Sequence, residues 1–184
     1  MKTIITLLVG LLFTFSLNAK PMFQPPDDVA KKGAITYCAT IDNPPRAFAD
    51  ASGNFQGFEI DLGVEIGNRL GLEVKWEQMK FSGLIASLSG QICDAIVQEL
   101  FIKPTRVEVI DMIPFGYSAQ SIVVNASNNE SINGPADLSG LKVAVPNGTT
   151  IHNILIETNE SLSSGGKTPI DIVILEATTD SFGQ

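Results

Sequence analysis

Residues 56–106 alternate between helical and strand periodicity, and this alternation constrains the fold more than any other feature of the chain. The pattern predicts a helix from Glu59 to Leu70, a strand from Leu72 to Gln78 and a strand from Ile92 to Val97. A short helix with Ser82 as its N-cap is predicted between the two strands. Strands and helices that alternate at this spacing predict a parallel α/β sheet with right-handed crossovers.

The composition of each predicted strand indicates its place in the sheet. Charged residues alternate with apolar ones between Leu72 and Gln78, which is typical of a half-buried edge strand. The nearly continuous apolar run from Ile92 to Val97 predicts a central strand with helices on both faces. A further strand, from Ala34 to Thr40, is expected at the centre of the sheet.

Two glycines fall on the apolar face of the first of these predicted helices. Gly63 and Gly67 share that face with Leu62, Ile66 and Leu70. Each glycine costs on the order of 1 kcal/mol of helix propensity relative to alanine. We therefore expect this face to press closely on the sheet.

Residues 1–19 have the pattern of a secretory signal peptide. Lys2 supplies the positive start, residues 4–17 the apolar run and Leu17-Asn18-Ala19 a cleavage site. A membrane anchor is the alternative, but the apolar run is short for a full membrane span. No cysteine stands directly after the run, at the new N-terminus, so no lipid anchor is expected.

The charge balance of the chain argues against two classes of partner. Without residues 1–19, 11 basic and 20 acidic residues remain, a net charge of −9. Such a surface is unfavourable for nucleic acid and for anionic membranes. The cysteine and histidine spacing suggests no metal site, and we predict no cofactor.

Cys38 and Cys93 are the two cysteines of the chain. Export would place both in an oxidising compartment. They fall in strands that we expect to be neighbours, yet at different heights along the sheet. Because a disulfide needs close and well-aligned Cβ atoms, two separate buried thiols are favoured.

Ligands of parallel α/β sheets bind beyond the carboxyl ends of the strands, so the candidate site residues are those that follow the predicted strands. Asp42 follows the first strand and is equally compatible with a ligand contact and with a turn that caps its own backbone. Phe81 follows the second strand, and composition alone favours a core position over a stacking surface for a ligand.

Arg106 follows the third strand and falls in the first turn of a helix predicted from Pro104 to Val109 or Ile110. A cation there opposes the helix dipole, whereas its guanidinium suits a carboxylate. This makes Arg106 a candidate for binding an anion. The alternative is a surface ion pair with Glu108 or Asp111.

A second unit begins after residues 115–117, where the pattern breaks. Strands are predicted at 121–125, 141–145 and 170–175, and a helix at 151–158. The turn Gly148-Thr149-Thr150 opens this helix and offers N–H groups and hydroxyls to an anion, although such turns also simply cap helices. The last residues, 176–184, are predicted to start another helix, and we expect the chain to be truncated there.

A series of short motifs resembles the periplasmic solute-binding proteins of polar amino-acid ABC transporters. The resemblance covers roughly residues 30–184, and its specific part is the run from Gly57 to Arg106. The motifs are Asp42 with Pro44-Pro45, Gly53, Gly57 to Leu62, Phe81 to Leu84, Asp94-Ala95, Pro104-Thr105-Arg106, Asp137 to Gly140 and Gly148-Thr149.

The resemblance implies an α/β chain with a two-lobe periplasmic-binding-protein type II fold and a ligand cleft between the lobes. The expected layout is a signal peptide (1–19), a tether (20–33), lobe 1 (34–115), a hinge (116–120) and a partial lobe 2 (121–184). The C-terminal return is expected to be incomplete. The acid that family members use for the ligand's α-amino group would then lie beyond residue 184.

The resemblance also implies roles for individual residues. Arg106 matches the arginine that grips the ligand's α-carboxylate, Phe81 the aromatic that packs on its side chain, and Asp42 a cleft acid. Thr149 and Thr150 match the carboxylate-binding turn of the second lobe. The full set of implied ligand-binding residues is Asp42, Phe81, Glu99, Phe101, Arg106, Thr149 and Thr150.

Three residues depart from the family pattern. Glu99 and Phe101 stand where glycine and threonine are usual, and Arg46 stands in place of an aromatic residue. Glu99 and Phe101 would shrink the pocket and add a negative charge. The departures therefore favour a cationic, amine-bearing or unusual ligand.

The function that this resemblance implies is capture of an amino acid or related amine solute for an ABC importer. We expect a periplasmic monomer that is not an enzyme, with a small-molecule ligand, a membrane permease as partner and no nucleic acid. A cyclohexadienyl or arogenate dehydratase of the same fold, with Glu99 as general acid, is the alternative. A third interpretation is the sensor lobe of a membrane receptor.

Overall fold

A computed structural model describes residues 21–127 and 131–176. The predicted signal peptide and, except for Glu176 itself, the helix predicted to start within 176–184 lie outside the described residues. Among the residues that the structure describes, no helix is both long enough and apolar enough to cross a membrane. In chain order, the elements are α1 (Asp27–Lys32), β1 (Ala34–Ala39), β2 (Asp42–Asn43), β3 (Ala47–Ala49), β4 (Phe55–Gln56), α2 (Phe58–Leu70), β5 (Glu73–Gln78), α3 (Leu84–Ser89), β6 (Ala95–Ile96), α4 (Pro104–Val107), β7 (Lys142–Pro146), α5 (Thr150–Ser164) and β8 (Asp171–Leu175).

The first unit is built on a parallel three-stranded sheet in the order β5-β1-β6, which confirms the predicted α/β architecture. β1 is central, as expected, and is buried along most of its length. β5 is the half-buried edge strand that its charge pattern predicts. α2 ends at Gly71, whose left-handed conformation closes the helix.

β6 differs from its prediction. It covers only Ala95–Ile96 and lies at the edge of the described sheet rather than at its centre. It pairs with β1 through two residues, and Ile92, the first residue of the predicted strand, is 59% exposed. A short apolar run does not by itself identify its structural context, so composition alone could not assign this strand to the centre of the sheet.

The close contact predicted for the glycine face of α2 is confirmed. A Cβ atom built on Gly63 would lie 2.6 Å from the Trp76 ring and 3.3 Å from Tyr37. Tyr37 and Trp76 pack on each other with ring centroids 5.0 Å apart. The helix can therefore approach β5 and β1 only because this position has no side chain.

The two cysteines are joined, so the preference for separate thiols was wrong. Cys38 and Cys93 form a disulfide with their Cα atoms 5.6 Å apart. β6 begins only at Ala95, so Cys93 belongs to the turn after α3. Its position along the sheet is therefore not fixed by strand pairing. That turn lies on the same face of β1 as Cys38, and both sulfur-bearing residues pack with Leu84.

The second unit has a parallel pair of strands, β7 and β8, covered by α5. Its core consists of Leu138, Val145, Leu155, Leu162 and Ile170. α5 continues to Ser164 instead of stopping near Thr158. The predicted stop was at Asn159, but this side chain accepts from the Ile170 N–H at 2.6 Å and donates to the Ile170 carbonyl at 2.9 Å, so the helix continues past a polar residue that fixes the start of β8.

Other local predictions were wrong where tertiary partners decide the structure. Residues 121–125 form no strand, and Val123 is 79% exposed, because no described strand pairs with them. The expected tether at 20–33 contains α1, which buries Val29. Ser82 is not an N-cap but lies in a 3₁₀ turn before α3, and α4 ends at Val107.

We predict that Gly63→Ala destabilises the chain by about 1–3 kcal/mol, because the added methyl group overpacks the helix–sheet contact. Urea unfolding followed by circular dichroism measures the change. Gly83→Ala is the matched control, since a Cβ atom there meets nothing within 4 Å. Equal stability changes in the two variants would contradict the close-contact interpretation.

Candidate functional site

The loops that follow β1 and β6 are tied together by a buried amide. The backbone N–H and the hydroxyl of Thr40 both donate to Oε1 of Gln98, at 2.9 and 3.2 Å. Both residues are buried. This contact fixes the start of the segment 99–103 at the carboxyl end of the sheet, where ligands of such folds bind.

Arg106, in α4, is buried between the two units. Only 5% of the residue is exposed to solvent. Nη1 donates to the Phe101 carbonyl at 2.8 Å, and Nη2 donates to the Gly148 carbonyl at 3.3 Å. The guanidinium carbon lies 5.7 Å from the centroid of the Phe81 ring, within cation–π range.

No carboxylate of the described residues forms an ion pair with Arg106. The predicted alternative, a surface pair with Glu108 or Asp111, is therefore not observed. Burial lowers the pKa of the Arg106 guanidinium, yet an arginine remains charged in proteins. The result is a buried cation whose described polar contacts are two neutral carbonyls.

A cavity of about 300 Å³ opens beside this guanidinium. It lies between the start of α3, the segment before α4 and the turn before α5. Its lining residues are Phe81, Ser82, Ile85, Leu100, Lys103, Thr105, Arg106, Val109 and Gly148. We refer to it as the small cavity.

The turn before α5 reaches the small cavity through Gly148. The hydroxyl of Thr149 donates to the Pro146 carbonyl at 2.9 Å and accepts from the His152 N–H at 3.2 Å, so it caps α5. Oγ1 of Thr150 is buried and has no hydrogen-bond partner among the described residues. Of the two threonines, Thr149 thus already has a structural role.

A second charged cluster surrounds Arg46. Its Nε lies 2.9 Å from Oε2 of Glu99, and its Nη1 lies 3.5 Å from Oε1 of Glu59. The guanidinium carbon lies 5.2 Å from the centroid of the Phe58 ring. Two of the three departures from the family pattern, Arg46 and Glu99, therefore pair with each other.

Glu59 is the member of this cluster that the sequence analysis missed. It is fully buried, and burial raises the pKa of its carboxyl from 4.5 to about 7, while Arg46 and the Glu99 N–H oppose the shift. The available signal was its spacing, because Glu59, Gly63 and Gly67 recur every four residues on the sheet-facing side of α2. An acid on a buried helical face needs a cationic partner.

A larger cavity of about 900 Å³ lies beside β6. Arg46, Glu99 and Phe101 line it together with Phe58 and much of the segment 109–118. It does not contain Arg106. The small cavity contains the one buried guanidinium among the described residues that lacks a carboxylate.

The structure thus divides the predicted site residues between two places. Phe81 and Arg106 line the small cavity, and Phe101 reaches Arg106 through its carbonyl. Glu99 lies with Arg46, and Asp42 lies half-buried in β2, outside the lining of the small cavity. Thr149 and Thr150 follow Gly148 at the start of α5.

A sequence model of the bacterial extracellular solute-binding proteins, family 3, matches residues 35–172. The chain belongs to this family. The L-cystine-binding protein TcyJ of Escherichia coli (strain K12) is 30% identical over 122 residues, which cover 66% of this chain and 46% of the relative. The lysine/arginine/ornithine-binding periplasmic protein of the same organism is 32% identical over 146 residues, covering 79% and 52%.

Solved structures of amino-acid-binding proteins share the type II two-lobe fold with this family 3 chain. A variant of ArgBP from T. maritima matches with a TM-score of 0.75 and 33% identity, covering 85% of this chain and 65% of the other. The ancestral amino acid-binding protein AncCDT-1, a precursor of cyclohexadienyl dehydratase, matches with a TM-score of 0.76 and 27% identity, covering 85% and 67%. The chain spans about half the length of the curated relatives it matches.

We predict that Glu59 makes the stability of this family 3 chain fall as pH rises between about 4.5 and 7. In that window the folded carboxyl keeps a proton that the unfolded carboxyl has released, because its pKa is raised from 4.5 to about 7. The loss levels off above pH 7 and amounts to about 3 kcal/mol at most. Glu59→Gln should remove this fall.

Denaturant unfolding at several pH values measures the effect. Asp61→Asn is the matched control, because Asp61 is an exposed acid on the same helix. A Glu59→Gln variant that retains the slope of the parent chain would show that another group titrates.

Proposed function

We propose that this chain is the extracytoplasmic substrate-binding part of an ABC importer. It captures an amino acid or a related polar solute beside Arg106 and delivers it to a membrane permease. The observation that carries this proposal is the burial of Arg106 without a carboxylate partner among the described residues. Export through residues 1–19 to the periplasm is part of the same proposal.

The energetics of a buried cation support a ligand at this position. Removing a guanidinium from water costs several kcal/mol, and neutral carbonyls offset only part of this cost. A ligand carboxylate could accept two parallel hydrogen bonds from the planar fork and supply the opposite charge. Phe81, over which the guanidinium lies, provides an apolar surface for the remainder of the ligand.

The contacts of Arg106 also support a binding event that couples the two units. Nη1 reaches Phe101 in the first unit, whereas Nη2 reaches Gly148 in the second. We propose that residues 34–115 and 121–184 act as lobes that close on the ligand about a hinge at 116–120. In the closed state, the Thr150 hydroxyl, which has no described partner, would join Arg106 in holding the carboxylate.

The relatives support an amino acid as the ligand. Their names describe binding of L-cystine and of lysine, arginine and ornithine. The argument for a cationic ligand from Glu99 is weaker than the sequence suggested, because Arg46 neutralises this carboxylate at 2.9 Å. The ligand's α-carboxylate is therefore the better supported part of the assignment.

We infer that the chain is not an enzyme. The dehydratase alternative required Glu99 as a general acid with a raised pKa, but this carboxylate is ion-paired with Arg46. Burial raises the pKa of Glu59, but this residue lines neither the small nor the larger cavity. The observation that favours the dehydratase alternative is the similarity to a precursor of cyclohexadienyl dehydratase.

We predict that Arg106→Ala abolishes thermal stabilisation by the ligand. A panel of the common L-amino acids and small amines is screened on the full chain by thermal shift. A ligand at 100 times its dissociation constant stabilises by about 2.7 kcal/mol, which raises Tm by several degrees. Arg106→Lys should retain little of this effect, because it keeps the charge but loses the fork.

Arg69→Ala is the matched control, since Arg69 is exposed on α2 and pairs with Glu65 at 2.7 Å. It should bind like the parent chain. The proposal is wrong if no compound of the panel stabilises the parent chain, or if Arg106→Ala binds as well as the parent does.

We further predict that neither prephenate nor arogenate is turned over by the full chain. Product formation is measured by absorbance or by chromatography, with a buffer blank as control. Turnover that disappears in Glu99→Gln would establish the dehydratase alternative instead.

A further inference from the structure

We propose that the ligand of the small cavity is acidic, carrying a second carboxylate that Lys103 binds while Arg106 holds the first. A dicarboxylic amino acid is the chemical class that fits. This inference rests on the proposed function and adds Lys103 as a specificity-determining residue.

The ionisable residues that line the small cavity are both cations. They are Lys103 and Arg106, and the other lining residues are neutral. In the whole chain, acidic residues outnumber lysine and arginine by 20 to 12. The charge of the cavity lining, with two cations and no acid, is therefore opposite in sign to the net charge of the chain.

Like charges at this position repel each other. Lys103 is half-buried and immediately precedes α4, and its carbonyl accepts from the Arg106 N–H at 2.9 Å. Burial and the adjacent Arg106 lower the pKa of the Lys103 ammonium, and Glu157 on α5 opposes this shift. A ligand with two negative charges would relieve the repulsion, whereas a cationic ligand would increase it.

The groups around the small cavity give a cationic ligand no carboxylate to bind. Glu99 lies outside its lining and pairs with Arg46. Glu157 is exposed on α5 and is also outside the lining. The neutral polar groups of the lining, the hydroxyls of Ser82 and Thr105, can donate hydrogen bonds to carboxylate oxygens.

The size of the small cavity favours a compact ligand. About 300 Å³ lies at the lower end of the range for ligand pockets in proteins. A four- or five-carbon diacid has about ten heavy atoms and needs no larger space. The Phe81 and Ile85 side chains provide apolar surface for its methylene groups.

The test compares charged ligands with their neutral isosteres on the full chain. Affinities for L-glutamate, L-aspartate, L-glutamine, L-asparagine and L-arginine are measured by isothermal titration calorimetry. We expect glutamate or aspartate to bind at least tenfold more tightly than its own amide. Lys103→Gln should lower the affinity for the acidic ligand about tenfold and leave the affinity for its amide unchanged, and Lys103→Arg should restore most of the loss.

Two controls separate ligand binding from a structural role of Lys103. Lys75→Gln makes the same change at a position 55% exposed on β5 and should alter no affinity. Glu157→Gln should leave acidic-ligand affinity unchanged or raise it. If Lys103 only pairs with Glu157, Lys103→Gln and Glu157→Gln will shift Tm equally, and neither substitution will change the preference for acidic ligands.

The outcomes distinguish this inference from the proposed function. Binding of glutamine or arginine as tight as that of glutamate, lost in Arg106→Ala, overturns the acidic-ligand inference and leaves the importer proposal standing. Acidic-ligand affinity that is unchanged in Lys103→Gln overturns the role of Lys103. If none of the amino acids binds, the importer proposal fails and this inference fails with it.

Discussion

The guanidinium of Arg106 is the buried charged group that links the two units. It is buried and joins the Phe101 carbonyl of one unit to the Gly148 carbonyl of the other. A second link, the ion pair of Lys80 and Glu176 at 2.8 Å, is exposed and therefore worth little. One of the contacts between the units is thus made by a charged group that carbonyls satisfy only in part. That property suits a cleft whose closure depends on an anion.

Arg46, which is half-buried, and Arg106, which is buried, have different tasks because their partners differ. Arg46 lies between the carboxylates of Glu59 and Glu99, so its charge is balanced within the fold. Arg106 has no such partner among the described residues, so a bound anion would balance its charge. Residue type alone does not separate these cases. The two arginines are distinguished by the carboxylates near each guanidinium, and these carboxylates come from segments distant in the chain.

The parts of the fold that the sequence predicted are those set by local pattern. α2, β1 and β5 follow from periodicity, and the contact at Gly63 follows from two glycines on an apolar helical face. The failures occur where a distant neighbour decides. The 121–125 run has strand composition but no described strand to pair with. Cys93 lies in a turn, and the path of this turn towards Cys38 could not be predicted from the spacing of the two cysteines. Arg106 was identifiable because its position conflicts with the helix dipole, whereas the pairing of Arg46 with Glu99 needed coordinates.

The overall charge of the chain bears on how an anionic ligand would be held. A net charge of −8 gives the surface a field that repels anions and so slows their encounter with the cleft. Affinity for an acid must then come from slow dissociation, which depends on short-range contacts inside the cavity. Lys103 and Arg106 lie beside each other within such a cavity, where solvent screens them less than it screens surface charges. An acidic surface and a cationic cavity are therefore compatible with the binding of an acid that we propose.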